Sequence, residues 1–319
     1  MVEIVVGIDI GGTNTVIGLV NRCGECIVES SISTRNHNTF NAFIEAISIK
    51  IKDLHHQIGI DNYVLQGIGI GAPNGSFGLG AIVDAPNLDW KGLLPICKEI
   101  TKQTNLPSVV TNDANAAALG EMLFGGAKGM KDFIVVTLGT GLGSGIVSNG
   151  KLVIGHDGFA GELGHTVAEI NGRICGCGNK GCLETYASAT GIKRTVFMLL
   201  AQSNKASNLR NVRFEELTSK MVTEAAINGD SIALDSFEYT GKMLGVKLAD
   251  VVTLFSPEAI FLFGGVAKAG NLIIEPTKRY MEEFMFPIFR NKVKLLPSGL
   301  EGKNAAVLGA AALIWQEIK

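Results

Sequence analysis

The sequence lacks an excess of charge of either sign. It has 28 Lys and Arg residues against 30 Asp and Glu residues, and its formal net charge is −2. A surface that binds nucleic acid must neutralise phosphates and therefore carries a basic excess. We expect no nucleic-acid partner.

Long uninterrupted hydrophobic runs are also absent. The longest candidates, residues 133–147 and 305–315, are short or are broken by Gly, Thr and Ser, whereas a membrane span needs about 20 apolar residues. Residues 1–9 contain an acid and no basic segment, which is unlike a signal peptide. The expectation is a soluble, cytoplasmic protein with no membrane partner, and 319 residues correspond to roughly two domains at about 150 residues each.

Two common phosphate-binding signatures are missing as well. There is no G-x-x-x-x-G-K-[S/T] loop, and the first glycine turn leads into a strand rather than the helix of a Rossmann fingerprint. Yet the chain has 40 glycines, and three glycine turns follow predicted strands, at residues 9–14, 138–143 and 263–265. Backbone N–H groups in such turns can converge on phosphate oxygens. Asp9 stands where it could hold Mg²⁺, although it could instead only cap a turn.

Strands alternate with helices along the chain, which predicts an α/β fold. Hydrophobic periodicity predicts strands at residues 3–9, 15–20, 25–32, 65–70, 108–111, 133–138, 145–147, 259–263 and 293–296. It predicts helices at residues 40–54, 93–104, 113–124, 183–200, 214–228, 232–255 and 305–318. The strand–glycine turn–strand pattern of the first residues restarts at Phe133, so we expect an internal structural duplication.

Half of the six cysteines fall within eight residues, which is unlike a disulfide framework. Together with an upstream histidine they form the Cys₃His set of a tetrahedral zinc site: His165, Cys175, Cys177 and Cys182. Four protein ligands close the coordination sphere, so the predicted zinc is structural. The alternative is a group of free buried thiols. Cys23 and Cys26 have no second half-site nearby and are predicted to lie in an inert turn.

The segment Thr111–Asn115 lies between a predicted strand and a predicted helix. Asp113 could accept a proton from a substrate hydroxyl there, as phosphoryl transfer to an alcohol requires. From these residues alone, an aspartate that caps the helix is the commoner explanation.

The motifs in their order resemble those of a known family. The three glycine turns look like the two phosphate motifs and the adenosine motif of the actin–hexokinase superfamily. Within it, Gly161–His165 followed by Cys175–Glu184 is similar to the ROK family of sugar kinases and repressors, and the likeness runs from residue 4 to the C-terminus. It implies two ribonuclease-H-like α/β lobes with the active site in the cleft between them. We expect a smaller lobe of residues 1–112 with the helix 304–319, and a larger lobe of residues 113–303 that holds the zinc segment 165–182.

The resemblance implies ATP-dependent phosphorylation of a hexose, with glucose converted to glucose 6-phosphate, and Asp113 as general base. The sugar-binding residues it implies are Asn87, Asn112, Asp113, Glu162, His165 and Glu184. The residues it implies for ATP with Mg²⁺ are Asp9, Gly11, Gly12, Thr13, Asn14, Gly139, Thr140, Gly141, Gly264 and Gly265. It also implies a homo-oligomer, as a dimer.

Other functions of the same family stay open. The sugar could be N-acetylmannosamine, N-acetylglucosamine, allose or fructose, because loop shape rather than the polar residues selects the C2 substituent. A non-catalytic sugar sensor would be expected to lose Asp113 or the phosphate glycines, and here all are present. A repressor needs a helix-turn-helix ahead of Asp9, for which the sequence offers no segment, so we expect no DNA binding.

Overall fold

The computed structural model describes residues 1–300 and 304–318. The strands are β1 (Val2–Ile10), β2 (Asn14–Asn21), β3 (Cys26–Ser33), β4 (Tyr63–Gly71), β5 (Gly75–Ser76), β6 (Ala81–Val83), β7 (Leu93–Leu94), β8 (Ser108–Thr111), β9 (Phe133–Leu138), β10 (Leu142–Ser148), β11 (Lys151–Leu152), β12 (Ala259–Phe263) and β13 (Lys294–Pro297). The α-helices are α1 (Phe40–Ile58), α2 (Ile96–Thr104), α3 (Asp113–Phe124), α4 (Glu184–Ala187), α5 (Ala189–Gln202), α6 (Ser219–Ile227), α7 (Ser231–Phe255), α8 (Asn271–Phe284) and α9 (Ala305–Glu317).

Two five-stranded sheets share one topology. The first has the order β3-β2-β1-β4-β8 and the second the order β11-β10-β9-β12-β13. In the first sheet, β1 pairs antiparallel with β2 and parallel with β4. In the second sheet, β9 pairs antiparallel with β10 and parallel with β12. The predicted α/β class and the internal duplication are therefore confirmed. A separate small sheet, β5-β6-β7, forms from short strands that the sequence did not predict.

The chain divides into two compact α/β units. The first unit holds Met1–Met130, Leu152–Ala160 and the described part of Gly299–Lys319, and the second holds Lys131–Lys151 and Gly161–Ser298. The unit boundary falls after α3, whereas the sequence analysis put the lobe boundary before it. The expected lobes of residues 1–112 with 304–319 and of residues 113–303 stay a prediction.

Helix α9 lies against the sheet of the first unit, and glycines make that contact possible. A Cβ atom on Gly69 of β4 would overlap the carbonyl oxygen of Ala310, and one on Gly309 would overlap that of Ala116 in α3. Strand and helix backbones thus approach more closely than any side chain allows. Helix α9 therefore belongs to the first unit, and Lys319 lies outside the described residues.

Three predicted helices differ from the structure. The segment 93–104 begins as strand β7 and becomes helical only at Ile96, after Pro95. The segment 183–200 breaks at Ser188, whose hydroxyl accepts a hydrogen bond from the Gly191 N–H and so starts a new helix. The segment 214–228 is helical only from Ser219, because the Thr218 side chain caps that helix. In each case a local cap or proline overrides the hydrophobic period.

Among residues 1–300 and 304–318, no helix combines the length and the hydrophobicity that crossing a bilayer would demand.

Candidate active site

The first glycine turn connects β1 to β2 in the first unit. The Gly11 N–H donates to the Asn14 carbonyl at 3.0 Å, which closes the turn. A Cβ atom on Gly12 would lie only 2.7 Å from the Asn87 carbonyl oxygen. The structure thus brings Asn87, a residue expected to bind sugar, against the turn that was expected to bind phosphate.

Two carboxyl groups of the first unit lie close enough to influence each other. Burial and, to a smaller extent, the negative charge of Asp113 together raise the pKa of Asp9 to about 6. Burial also raises the pKa of Asp113, although its hydrogen bond from the Ala114 N–H opposes the shift. Asp9 lies in β1, one residue before its carboxyl end, and Asp113 lies two residues after the end of β8, a strand of the same sheet. The arrangement concentrates negative charge where a cation or a proton can neutralise it.

Asn112, and not Asp113, caps helix α3. The Asn112 Oδ1 accepts a hydrogen bond from the Asn115 N–H at 2.7 Å. Asp113 is the first helical residue, and its Oδ1 accepts from the adjacent Ala114 N–H at 2.9 Å. The cap that was the commoner explanation for Asp113 is therefore supplied by its neighbour.

The other two glycine turns meet in the second unit. The turn after β9 closes with a hydrogen bond from the Gly139 N–H to the Gly141 carbonyl at 3.0 Å. The turn after β12 places Gly264 at a φ of 105°, where a Cβ atom would lie 2.7 Å from the Leu138 carbonyl oxygen. The Val266 N–H donates to that same carbonyl at 3.1 Å. Because β9 and β12 run parallel, their carboxyl ends bring the two turns together.

The four predicted metal ligands form one cluster in the second unit. Their ligand atoms all lie within 4.8 Å of one another. The Cys177 and Cys182 sulfurs are 3.7 Å apart, close to the roughly 3.8 Å that tetrahedral Zn–S bonds of about 2.3 Å imply. The His165 Nδ1 lies 3.8 Å from the Cys175 sulfur. The residues therefore fit a metal that takes a tetrahedral set of three thiolates and one imidazole.

Local hairpin structure assembles this cluster. Isolated bridges pair Val167 with Cys182 and Ile174 with Lys180. Thiolates are the form that binds a metal, and a hydrogen bond from the Asn179 N–H lowers the pKa of Cys177 to about 7. Burial raises the pKa of Cys175 to about 12.

Glu184 lies between the metal cluster and the first glycine turn of the second unit. Its Oε1 accepts from the Cys175 thiol at 3.4 Å, and its Oε2 accepts from the Leu142 N–H at 3.1 Å. Glu162 precedes the short 3₁₀ helix Leu163–His165, and its carbonyl accepts from the His165 N–H at 3.1 Å. Both carboxylates therefore belong to the same unit as the metal cluster.

The structure thus sorts the predicted residues into two groups. The first unit contains Asp9, Gly11, Gly12, Thr13, Asn14, Asn87, Asn112 and Asp113. The second contains Gly139, Thr140, Gly141, Glu162, His165, Cys175, Cys177, Cys182, Glu184, Gly264 and Gly265. Cys23 and Cys26 are free thiols, and Cys23 lies in the predicted turn between β2 and β3. Cys26 is instead the first residue of β3, where burial raises its pKa to about 11.

Sequence reasoning missed the residues that brace the metal cluster. The Tyr186 hydroxyl donates to Glu169 Oε2 at 2.6 Å and accepts from the Arg173 N–H at 2.8 Å. The Arg173 guanidinium lies over the Tyr186 ring, with its central carbon 4.6 Å from the ring centre. An arginine between two metal ligands in sequence was the available signal, because a charged side chain in such a compact segment needs polar partners.

Known proteins are similar to this chain over nearly its whole length. The profile of the ROK family matches residues 5–317. The chain is 36% identical to a glucokinase of Halalkalibacterium halodurans over 320 aligned residues, which cover 98% of this chain and 95% of that protein. It is also similar to a ROK family glucokinase of Streptomyces griseus, solved in complex with glucose and AMPPNP, with a TM-score of 0.81, 34% identity, and 98% and 99% of the two chains covered.

A regulator shares the fold as well. A ROK family transcriptional regulator, a homologue of the E. coli MLC protein, superposes with a TM-score of 0.88 and 30% identity over 99% of this chain and 78% of that one. The family thus includes an enzyme and a regulator similar to this chain. The family profile matches nearly the whole length of this chain, which also has the glycine turns and the Cys₃His segment. We conclude that the chain belongs to the ROK family.

Proposed function

We propose that this protein is a glucokinase that transfers the γ-phosphoryl group of ATP to the C6 hydroxyl of glucose. The observation that carries the proposal is the similarity to the Halalkalibacterium halodurans glucokinase, which extends over 98% of this chain and 95% of that protein. The presence of Asp113 and all three glycine turns supports it, because a kinase needs both a base and a phosphate cradle.

Asp113 is the general base of the proposed reaction. Its buried carboxyl has a raised pKa, which brings its proton affinity closer to that of a useful base near neutral pH. Asn112 caps α3 through Oδ1, so its Nδ2 stays the donor that a sugar hydroxyl can use. The carboxylate accepts the proton of the C6 hydroxyl as that oxygen attacks phosphorus.

The remaining sugar-binding residues are those that the family resemblance implies: Asn87, Glu162, His165 and Glu184. Carboxylates and amides suit a polyol, because each hydroxyl both donates and accepts. The His165 Nδ1 faces the Cys175 sulfur. That leaves the Nε2 of the same ring for a sugar hydroxyl.

ATP is proposed to bind the three glycine turns through their backbone N–H groups. Asp9 fits a Mg²⁺ partner, because a buried carboxyl whose pKa is raised to about 6 gains when a cation neutralises it. When bound, Mg²⁺ neutralises charge on the transferring phosphoryl group. Asp9 then orients the metal directly or through water.

The Cys₃His cluster is proposed to hold structural zinc. The 3.7 Å separation of the Cys177 and Cys182 sulfurs supports this metal, as do three thiolates beside one imidazole. Four protein ligands leave no open coordination position for chemistry. What the chain gains is a fixed position for His165 and for the start of α4.

A turnover assay over a panel of sugars tests the function. We expect ADP release, measured in a coupled assay, to show its highest kcat/KM with glucose when compared with N-acetylmannosamine, N-acetylglucosamine, allose and fructose. A higher kcat/KM for an N-acetylhexosamine would reassign the substrate. No turnover on any sugar, with sugar binding retained in calorimetry, would make the protein a sugar sensor like the family's regulators.

The proposal includes a homodimer and a cytoplasmic location, which the family resemblance implies. Light scattering of the purified full chain measures the first, and a mass of about 34 kDa rather than twice that value would contradict it.

The Asp9→Asn variant tests the nucleotide half of the proposal. Loss of the carboxylate should raise the KM for ATP about tenfold or more, the scale of a lost interaction with a charged group, while glucose affinity changes little. Initial rates at varied ATP and Mg²⁺ concentrations measure the KM for ATP, and calorimetry measures the affinity for glucose. Normal ATP kinetics would mean that Asp9 does not face the phosphates.

The same variant should change the pH dependence of stability. The pKa of Asp9 is about 6 in the folded protein, whereas the ordinary value, which we take for the unfolded chain, is 3.8. Between these two pH values the folded protein therefore binds more protons than the unfolded chain. The carboxylate therefore costs stability above pH 6, at most about 3 kcal/mol, and the cost disappears toward pH 4. Without Mg²⁺ or nucleotide, Asp9→Asn should melt higher than the wild type at pH 7 and equally at pH 4. A larger difference at pH 4 would contradict this assignment.

A further inference from the structure

Three hydrogen bonds hold the glycine loop of the second unit, which we define as residues 139–142. The Ala189 N–H donates to the Gly139 carbonyl at 2.8 Å, and the Thr190 hydroxyl donates to the Thr140 carbonyl at 3.1 Å. The Leu142 N–H donates to the Glu184 carboxylate at 3.1 Å. All three partners come from one short stretch, residues 184–190.

Within the loop itself, the Gly139 N–H donates to the Gly141 carbonyl at 3.0 Å. A Cβ atom on Gly139 would have no neighbour within 4 Å, so no side chain packs there. One on Gly141 would collide with the Glu184 carboxylate, which shows how closely that side chain approaches the backbone. A phosphate-binding loop works through the direction of its N–H groups. The three hydrogen bonds from the stretch 184–190 therefore contribute to the direction of those groups.

The same stretch is tied to the metal cluster at its other end. Glu184 follows the ligand Cys182 by only two residues along the chain, so the segment that holds the ligand also holds this carboxylate. Arg173 lies between the ligands His165 and Cys175 in sequence. Its guanidinium donates to the Thr185 carbonyl at 2.8 Å and to the Gly191 carbonyl at 3.1 Å.

These contacts make a continuous connection from the cluster to the loop. One end consists of the metal ligands, the middle is α4 with the first turn of α5, and the other end is the glycine backbone. Ser188 separates the two helices, and its hydroxyl accepts from the Gly191 N–H at 3.0 Å, so the break itself is hydrogen-bonded. A short segment held at several points transmits position better than a flexible one.

We propose that Thr190 is a positioning residue for the nucleotide, and that the Cys₃His cluster sets nucleotide affinity through residues 184–190 as well as supporting the sugar-binding residues. The inference rests on the proposed kinase function. It adds that metal content governs ATP use and not only glucose use, because Arg173, from the segment between the ligands His165 and Cys175, is hydrogen-bonded to the stretch that holds the glycine loop.

The test compares three Thr190 proteins in full-length, metal-loaded form. Thr190→Val removes one hydroxyl from an exposed position and should weaken binding of AMPPNP with Mg²⁺ by about three- to tenfold, the effect of one hydrogen bond. Thr190→Ser keeps the hydroxyl and should restore affinity to within about twofold of the wild type. Calorimetry measures the nucleotide, and a second titration with glucose should show no change. In kinetics the KM for ATP should rise while the KM for glucose stays the same.

Thr223→Val is the matched control. Its hydroxyl donates to the Ser219 carbonyl at 3.0 Å inside α6, so the substitution is chemically the same but does not touch the loop. We expect this variant to bind AMPPNP as the wild type does. Equal affinity of Thr190→Val and the wild type would overturn the inference, and so would equal losses in Thr190→Val and Thr223→Val.

A metal-removal experiment tests the connection itself. Chelator treatment, removal of the chelator and addition of Mg²⁺ should lower the AMPPNP affinity of the wild type, and added Zn²⁺ should restore it. The loss should be smaller in Thr190→Val, because part of the connection is already cut. Unchanged affinity in folded, metal-free wild type would overturn the role of the cluster. A metal-free chain that unfolds would show that the cluster is needed for folding rather than for nucleotide affinity, and would overturn that part of the inference. Wild-type protein that binds no AMPPNP would overturn the proposed kinase function itself.

Discussion

Asp113→Asn should lower turnover by at least about a hundredfold, while the protein stays folded and still binds glucose. General base catalysis contributes roughly 10²–10⁴-fold to rate, and the amide cannot take up the C6 proton. Glucose affinity should move by only about 1–2 kcal/mol, the scale of one hydrogen bond to a charged group. A loss in kcat that far exceeds the loss in binding marks an interaction made in the transition state.

The fold offers a further check on this variant. Because burial raises the pKa of Asp113, its ionised form costs stability near neutral pH, so the neutral amide should melt at the same temperature as the wild type or higher. A helix cap would behave in the opposite way. Removal of a helix cap lowers the free energy of unfolding by about 1 kcal/mol. We expect this loss of stability in Asn112→Ala, because the Asn112 side chain accepts the hydrogen bond from the Asn115 N–H at 2.7 Å.

Asp61→Asn is the matched control, because Asp61 is exposed and lies outside the candidate site. It should keep wild-type turnover and wild-type melting. Asp113→Asn with near-normal turnover on its best sugar would remove Asp113 from the base role. Turnover is measured by ADP release, binding by calorimetry and melting by scanning calorimetry.

Much of the fold was predictable, because hydrophobic period carries most of the signal. Strands β8, β9 and β12 and helix α3 have the predicted bounds, since each is bordered by a turn or a cap. The repeated sheet order was predictable from the restart at Phe133. Local patterns of this kind need no knowledge of tertiary contacts.

Helix α8 was not predicted, and the reason is tertiary. Pro276 lies inside it, which ordinarily argues against a helix. Helix α7 presents Gly241 to this proline, so closely that a Cβ atom there would lie 2.7 Å from the ring. Close packing of the two helices offsets the lost hydrogen bond, and sequence pattern within α8 contains none of that information.

Glu121 shows the same limit for polar residues. It lies on α3 with only 1% of its surface exposed, and its carboxylate accepts from the Gly126 N–H at 2.7 Å and the Gly299 N–H at 3.2 Å. The second partner is 178 residues away in sequence. No local spacing predicts it.

The candidate site divides in the same way. The metal ligands were predictable, since four of them fall within 18 residues and their chemistry is specific. The proximity of Asp9 and Asp113 needed the sheet, which sets the ends of β1 and β8 in one layer. The contact of Thr190 with Thr140 depends on a helix break that a smooth hydrophobic period conceals.

Cys177→Ser should reduce bound zinc to well below one ion per chain and should lower the melting temperature sharply. Removing one of three sulfurs leaves an incomplete tetrahedral set, and zinc binding in such sites supplies folding free energy, about 10–16 kcal/mol in small zinc domains. A typical domain has only about 5–15 kcal/mol of stability in total, so the loss can reach the whole of it. Glucose binding should weaken indirectly, because His165 and Glu184 lose their fixed positions. Elemental analysis measures zinc, and scanning calorimetry the melting.

Two companion variants separate the metal from the mutation. Cys23→Ser changes an exposed thiol outside the cluster and should keep full zinc and wild-type melting. Cys177→His replaces a ligand by another ligand, so it should retain more zinc than Cys177→Ser even if its geometry is imperfect. Should Cys177→Ser refold with one zinc per chain and an unchanged melting temperature, Cys177 would not be a ligand, although its sulfur lies 3.7 Å from that of Cys182. A graded order of zinc content, highest in the wild type, lower in Cys177→His and lowest in Cys177→Ser, ties the stability of the second unit to the metal rather than to the side chain alone.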